Sequence, residues 1–293
     1  MTVIPGEGPC AILGLGLIGG SIARDLAVRK VRVFGFDTDE ETVQAARRAR
    51  VISRVVDESL EQLREARTVI LAVPVDAAAD LLFRAAPFLG NARLITDVGS
   101  TKGTIVARAQ ALGLGEKFVG SHPLAGDHRS GWTASRRALF LRAKVFICAT
   151  RTSQPTTIGL AHAFWRSLGA LPVEMSAQTH DAEVAYTSHL PHLLSAALAQ
   201  TLARANHPRS ALGAGGRDAT RLASSSPDMW SAIVAANGPN LTRALDAYLK
   251  ELRQLRKAAS NGDTAAIHEL FTATSAWAGP ARRQKNVTRG AAE

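Results

Sequence analysis

Residues 10–23 begin as a short apolar run, continue through closely spaced glycines and then follow a helical pattern. Gly14, Gly16 and Gly19 fill a G-x-G-x-x-G spacing, in which each glycine has its own physical role. The first permits a tight turn, the second lets the backbone approach a phosphate, and the third lets the helix pack closely on the strand. A helix that begins here directs free N–H groups toward an anion. The stretch therefore predicts a strand, turn and helix that bind the pyrophosphate of a dinucleotide.

A second apolar segment, residues 31–37, ends in Asp37, which lies 18 positions after Gly19. This spacing is near that of the carboxylate that binds the adenosine ribose of NAD, and such a carboxylate would repel the 2′-phosphate of NADP. NAD is therefore the expected cofactor. The alternative is a turn that binds no nucleotide, with Asp37 capping the next helix. The expected cofactor contacts are Gly14, Gly16, Leu17, Ile18, Gly19, Asp37, Val73, Pro74 and Ser100.

Strand and helix patterns alternate over the first part of the chain. The continuous apolar run at residues 68–74 is typical of a strand buried on both faces, and residues 92–100 are predicted as the next strand. Further strand patterns follow at residues 117–123, 143–150 and 171–175. This alternation predicts an α/β fold with a doubly wound, Rossmann-type parallel sheet, in which ligands bind at the carboxyl ends of the strands.

After residue 176 only helical patterns follow. They cover residues 178–205, a segment from Ser226, a segment after Gly238 and a last helix from about Asp263. We expect a dinucleotide-binding domain at residues 1–175, a helical substrate and dimerisation domain at 176–280, and a basic tail at 281–293. Because a long apolar helix needs a surface to bury against, the helical part indicates a homodimer.

The formal net charge of the chain is +10, which raises the question of nucleic-acid or membrane binding. The arginines alternate with acidic residues, and aromatic residues make up only 5%, so we expect neither partner. We also expect no signal peptide and no membrane segment, since no apolar run is long enough to cross a bilayer. Cys10 and Cys148 lie in apolar strand patterns, which favours buried, reduced thiols and a cytoplasmic location.

Two polar residues lie where predicted strands end. His122 is the best candidate for proton transfer, because imidazole exchanges protons near neutral pH. Ser100 precedes a predicted helix and could orient a reacting group. The alternatives are that His122 is hydrogen-bonded for structural reasons only, and that Ser100 only caps the helix.

The helical part contributes four polar candidates. His189 and His192 lie one turn apart and, with His180 and Asp181, suggest a metal site. We expect none, because Pro191 interrupts the pair and no cysteine or well-spaced third ligand accompanies it. Arg217 and Arg221 follow a glycine-rich turn, and a guanidinium presented there could bind a carboxylate through two hydrogen bonds. We expect the glycines within residues 213–216 to leave the backbone free to direct the guanidinium of Arg221 into the cleft. The alternative is two solvated arginines in a loop.

Six stretches together resemble one family, the prephenate/arogenate dehydrogenases of tyrosine biosynthesis. They are Gly14-Leu-Gly-Leu-Ile-Gly-Gly-Ser21, Ala72-Val-Pro74, Thr96-Asp-Val-Gly-Ser-Thr-Lys102, Val119-Gly-Ser-His-Pro-Leu-Ala-Gly126, Thr187-Ser-His-Leu-Pro-His-Leu193 and Arg217-Asp-Ala-Thr-Arg-Leu-Ala-Ser224. The resemblance runs from residue 10 to about 230. It implies a Rossmann domain, a helical dimerisation domain and NAD-dependent oxidative decarboxylation of prephenate to 4-hydroxyphenylpyruvate, or of arogenate to tyrosine.

By position, the resemblance implies that His122 is the catalytic histidine and Ser100 the serine beside it. Arg221 resembles the arginine that holds the ring carboxylate, and His192 resembles a contact to the substrate side chain. Should Arg221 not bind the carboxylate, the remaining candidates are Arg217, His189 and His192.

The chain departs from the family pattern at one point. His128, preceded by Asp127, stands where many members have an acidic residue, so gating interactions are not carried over to this chain.

Two other classes remain open at the level of sequence. One is an NAD(P)-dependent reductase of a β-hydroxy acid or an imine, which the lack of an evident catalytic lysine in residues 178–205 disfavours. The other is a non-catalytic NAD-binding dimer that acts as a sensor.

Overall fold

The computed structural model describes residues 8–126 and 129–279. The chain divides into two compact units, Met1–Leu241 and Thr242–Glu293. The strands described are β1 (Cys10–Leu13), β2 (Val33–Phe36), β3 (Arg54–Val55), β4 (Thr68–Leu71), β5 (Leu94–Asp97), β6 (Val119–Pro123), β7 (Lys144–Ala149) and β8 (Leu171–Glu174). The α-helices are α1 (Leu17–Val28), α2 (Glu40–Arg48), α3 (Val75–Ala85), α4 (Gly103–Ala111), α5 (Pro155–Ser167), α6 (Ala177–Val184), α7 (Leu190–Arg204), α8 (Ala214–Ala219), α9 (Pro227–Asn261) and α10 (Thr264–Ala278).

β1 is the central strand of a five-stranded parallel sheet with the order β3-β2-β1-β4-β5. Successive side chains of a strand point to opposite faces, so Ala11 and Leu13 pack into one apolar cluster and Cys10 and Ile12 into the other. All four residues are buried, which explains why the strand is a continuous apolar run. The predicted Rossmann-type parallel sheet is confirmed.

A second sheet of three strands, β6-β7-β8, lies beside β5. A parallel bridge joins Ile95 to Phe118, the residue just before β6. β6 and β7 are antiparallel, whereas β7 and β8 are parallel. The antiparallel pair was not expected, because an apolar run does not encode the direction of its neighbour. In this pair His122 lies opposite Phe146.

The helical pattern at residues 178–205 forms a continuous run of α6, a π-helical turn (Ala185–His189) and α7. Pro191 lies in the first turn of α7, where its ring would crowd the carbonyl of Thr187 in a regular α-helix. The wider π turn relieves this crowding. The expectation that Pro191 separates His189 from His192 is therefore wrong, since the helix continues through it.

The thiols of Cys10 and Cys148 are buried and unpaired, as predicted. Burial raises the pKa of each thiol to about 12, so both stay protonated near neutral pH. Among the described helices, none has the length and apolar character needed to cross a membrane.

A buried ion pair joins the end of β5 to the start of α4. Lys102 Nζ contacts Asp97 Oδ2, and the two side chains are 0% and 2% exposed. Asp97 also accepts hydrogen bonds from the backbone N–H groups of Gly99 and Ser121, at 2.9 Å and 3.3 Å. The carboxylate therefore connects β5, the following turn and β6.

Replacing Lys102 with Met should lower the free energy of unfolding by about 3–5 kcal/mol, because Asp97 would remain as a buried charge without its cation. Urea titration measures this change. The matched control is Arg54→Met in the exposed Arg54–Glu65 pair, where we expect about 1 kcal/mol or less. Equal losses in the two variants would contradict the account of the buried pair.

Candidate active site

The glycine turn after β1 has the geometry that the spacing predicts. Gly14 has φ +98°, a conformation that favours glycine, and a Cβ there would overlap the carbonyl of Ala72. A Cβ at Gly19 would overlap the carbonyl oxygen of Gly14. These two positions therefore require glycine for packing within the chain itself.

Gly16 differs, because no atom of the described residues, apart from its own chain neighbours, lies within 4 Å of the position a Cβ would occupy. It is the N-cap of α1, with no side-chain cap and no acidic residue in the first turn of the helix. Leu17 and Ile18, which begin the helix, are only partly buried. The first N–H groups of a helix have no partner within it, so this open end fits the pyrophosphate of a dinucleotide.

Asp37 follows β2 and is held against the same turn. Its Oδ2 accepts a hydrogen bond from the backbone N–H of Leu15 at 2.7 Å, and its Oδ1 accepts one from that of Asp39 at 3.0 Å. A carboxylate oxygen can accept more than one hydrogen bond, so Asp37 keeps the capacity to bind a ribose hydroxyl.

Other candidates lie along the same edge of the sheet. Val73 follows β4, and its Cγ1 lies 3.0 Å from the Cβ position of Gly14. Pro74 is exposed and is the N-cap of α3. Ser100 is partly buried in the turn between β5 and α4, and no hydrogen bond joins it to His122. Because parallel strands present their carboxyl ends at one edge, these residues share the edge with the glycine turn.

His122 lies in β6 and is 9% exposed. Its Nδ1 lies 2.9 Å from Nε2 of His180, and Nδ1 of His180 lies 2.7 Å from Oδ1 of Asp181. Burial lowers the pKa of His122 well below its ordinary value, and electrostatic interactions with His180, Lys102 and His189 lower it further. His122 is therefore neutral near pH 7, as an acceptor of a proton must be.

Asp181 binds the start of α4 although it belongs to α6. Its Oδ1 accepts from the N–H of Lys102 and its Oδ2 from the N–H of Gly103, both at 2.8 Å. The amide of Asn237 donates to the carbonyl of Asp181 at 2.8 Å. These contacts connect α4, α6 and α9 around the two histidines.

A second group of polar side chains surrounds Trp230. The ring of His192 lies 4.5 Å from that of Trp230, and the ring of His189 lies 5.7 Å from it. Nε2 of His189 and Nε1 of Trp230 are buried without a hydrogen-bond partner in the described structure. Unpaired buried polar atoms are costly, so both are suited to bind a ligand.

The two arginine candidates differ in their surroundings. Burial lowers the pKa of His192 and the charge of Arg221 lowers it further, so Arg221 lies near enough to interact with His192. Arg217 instead donates from Nη1 to the carbonyl of Leu212, within its own segment. The structure thus places Arg221 near His192, whereas the guanidinium of Arg217 bonds within its own segment.

The glycines within residues 213–216 do not form the free loop that we expected. Gly213 has φ −68° and is the N-cap of α8, and Gly215 and Gly216 lie within that helix. None of them has a positive φ. Arg221 is instead placed by the short 3-10 helix Arg221–Ser224 that follows α8.

Sequence reasoning missed several residues of the site. His180 and Asp181 were considered only as metal ligands, and within the described ranges no group of three or more His, Cys, Asp or Glu could hold a metal ion. Asn237 and Trp230 carried no signal beyond a helical pattern. Asp127 and His128 lie outside the described residues.

The comparisons with known proteins agree with this geometry. The family model described as "Prephenate dehydrogenase, nucleotide-binding domain" matches residues 22–174, and "Prephenate dehydrogenase, dimerization domain" matches residues 176–273. The prephenate dehydrogenase of Bacillus subtilis is 35% identical over 271 residues, which cover 89% of this chain and 72% of that protein. The cyclohexadienyl dehydrogenase of Zymomonas mobilis is 34% identical over 268 residues, covering 89% and 92%.

Among solved structures, prephenate dehydrogenase from Aquifex aeolicus in complex with hydroxyphenyl propionate and NAD+ has a TM-score of 0.84 and 29% identity, covering 92% of this chain and 96% of that one. Together with the glycine turn, these matches define an NAD-dependent dehydrogenase. The chain belongs to the prephenate dehydrogenase family.

Replacing Gly16 with Ala should leave the fold intact but weaken NAD+ binding about tenfold or more, because the new methyl group would occupy the open end of α1. Gly16 has φ −66° and ψ −155°, which alanine also adopts. Calorimetric titration with NAD+ measures the change in Kd.

The matched variant is Gly19→Ala, which should lower the free energy of unfolding by about 1–3 kcal/mol through overpacking. A folded Gly16→Ala variant that binds NAD+ as tightly as the unmodified protein would contradict the assignment of the phosphate site.

Proposed function

We propose that this chain oxidises prephenate to 4-hydroxyphenylpyruvate with loss of CO2, as a step of tyrosine biosynthesis. The observation that carries the proposal is His122, a neutral and almost buried imidazole on β6, the strand that follows the bridge from Phe118 to β5 of the parallel sheet. The alternative substrate is arogenate, which would give tyrosine directly. It is supported by the Zymomonas relative, whose name refers to the cyclohexadienyl ring that prephenate and arogenate share.

In this proposal His122 accepts the proton of the ring hydroxyl while the ring carbon that bears this hydroxyl loses hydride. NAD+, when bound, supplies the hydride acceptor. Loss of the ring carboxylate as CO2 then makes the ring aromatic, and the ring oxygen takes a proton back. Ser100, which lies in the turn between β5 and α4, would orient the substrate hydroxyl.

The substrate carries negative charge, and the residues proposed to hold it come from the helical segments. We assign the ring carboxylate to Arg221, because a guanidinium stays charged and binds a carboxylate through two hydrogen bonds. His192 and His189 would contact the substrate side chain. The interaction of His192 with Arg221 and the unpaired nitrogen of His189 support this assignment.

NAD binding would use the open end of α1, with Gly14, Gly16, Leu17, Ile18 and Gly19 around the pyrophosphate. Asp37 would bind the ribose hydroxyls, and its carboxylate disfavours the 2′-phosphate of NADP. Val73, Pro74 and Ser100 would line the cofactor from the ends of β4 and β5.

We further propose a homodimer and a cytoplasmic location. The second compact unit leaves large apolar side chains exposed, among them Leu252 and Leu255 on α9 and Phe271 and Trp277 on α10. Apolar surface of this kind is typical of a subunit interface. The boundary between the domains at residue 175 stays a prediction.

His122→Asn should lower kcat about a hundredfold or more, as expected for loss of a general base. The Kd for NAD+ should stay close to that of the unmodified protein, since His122 is not among the residues around the pyrophosphate. Steady-state kinetics with prephenate and titration with NAD+ measure the two quantities. Unchanged turnover would refute the role of His122.

Arg221→Ala should raise KM for the substrate by tens to hundreds of times, because a charge-assisted bidentate contact contributes about 2–4 kcal/mol. Arg217→Ala is the matched control and should leave KM nearly unchanged, because its guanidinium bonds to Leu212. If Arg221→Ala kept its KM, or lost NAD+ binding instead, the carboxylate site would lie elsewhere.

A further inference from the structure

We propose that His180 and Asp181 fix the tautomer of His122, so that Nε2 is the ring nitrogen that accepts the proton of the substrate. In this role His180 is a positioning residue, because it acts through His122 and does not itself meet the substrate. The inference rests on the proposed role of His122 as the base, and it specifies which atom of that residue reacts.

The chain of contacts begins at Asp181. Burial alone would raise the pKa of its carboxyl, but hydrogen bonds from His180, Lys102 and Gly103 lower it below the ordinary value. Two of these bonds come from the first N–H groups of α4, where the helix dipole also favours a negative charge. Asp181 is therefore an ionised carboxylate that can only accept hydrogen bonds.

The tautomers of the two histidines follow from this acceptor. Since Asp181 can only accept, Nδ1 of His180 carries the proton of the 2.7 Å hydrogen bond. In the proposed arrangement this is the only ring proton of His180, so its Nε2 accepts and Nδ1 of His122 donates across the 2.9 Å contact. Nε2 of His122 is left with a lone pair, and no described residue hydrogen-bonds to it.

The packing prevents the two rings from leaving this arrangement. His180 is fully buried, and the ring of Phe146 lies 5.4 Å from that of His180 and 6.3 Å from that of His122. The two imidazoles meet edge to face, with their centroids 5.1 Å apart. A rotated His122 would lose its hydrogen bond in a buried place, which is costly.

A buried network of this kind could serve stability alone, so the test must separate the two roles. His180→Leu removes the acceptor for His122 but keeps an apolar side chain of moderate size. His180→Gln can place an amide oxygen where Nε2 of His180 accepts. If the network serves stability alone, His180→Leu and His180→Gln have the same kcat and the same tautomer of His122. If His180 positions His122, His180→Gln keeps the kcat and the tautomer that His180→Leu loses.

The experiment combines kinetics with 15N NMR of histidine-labelled protein. The resonances of His122 are assigned by their absence in His122→Asn, and the 15N shifts report which ring nitrogen carries the proton. The titratable and charged groups that face His122 are His180, Lys102 and His189, so the spectra are recorded at several pH values. His207→Leu, at an exposed position outside the site, is the control.

We expect the Nδ1–H tautomer of His122 in the unmodified protein and in His180→Gln, and a mixture of tautomers in His180→Leu. We expect kcat to fall about tenfold to a hundredfold in His180→Leu, with KM nearly unchanged, and to recover to within about threefold in His180→Gln. His207→Leu should change neither the tautomer of His122 nor kcat.

The Nε2–H tautomer in the unmodified protein would overturn the proposal, and so would equal kcat values in the Leu and unmodified proteins. If the unmodified protein turned over neither prephenate nor arogenate, the proposed function would fail, while the NMR measurement would still decide the tautomer.

Discussion

The candidate site depends on one long-range interaction, the contact of the Asp181 carboxylate with the first N–H groups of α4. Asp181 lies 79 positions after Lys102 and 78 after Gly103, so the contact connects α6, the first helix after β8, to the start of α4. The adjacent His180 is thereby held against His122. At the same helix start the Lys102–Asp97 pair ties α4 to β5 and β6. Without these bonds the polar side chains would not converge at one edge of the sheet.

The cofactor side of the site follows from local constraints, and it was predictable for that reason. A Cβ at Gly19 would overlap the carbonyl of Gly14 in the same turn, a Cβ at Gly14 would overlap the carbonyl of Ala72 after β4, and Gly16 faces open space. Asp37 ends the next strand and bonds back to Leu15. The positive φ of Gly14, the contact of Gly19 with Gly14 and the bond of Asp37 act between segments close in the sequence, so residue type and spacing were enough to predict them. The contact of Gly14 with Ala72 joins distant segments and was not predicted.

The catalytic network could be predicted only in part, because its partners are distant in the sequence. His122 was identified from its place at a strand end, but its contact with His180 depends on how α6 packs against β7. The adjacent His180 and Asp181 suggested metal ligands rather than a hydrogen-bonded chain. Two further predictions were wrong because the backbone there is helical. A π turn lets the helix continue through Pro191, and residues 214–219 form the short helix α8 rather than a free loop.

The central claim is that this chain couples reduction of NAD+ to oxidation and decarboxylation of prephenate. The direct measurement is the absorbance of the reduced nicotinamide formed by the purified protein, together with the CO2 released, with prephenate and then with arogenate as substrate. The account predicts that reduced nicotinamide and CO2 form in equal amounts, with the larger kcat/KM for prephenate. A folded protein that binds NAD+ but forms neither product from prephenate would contradict it.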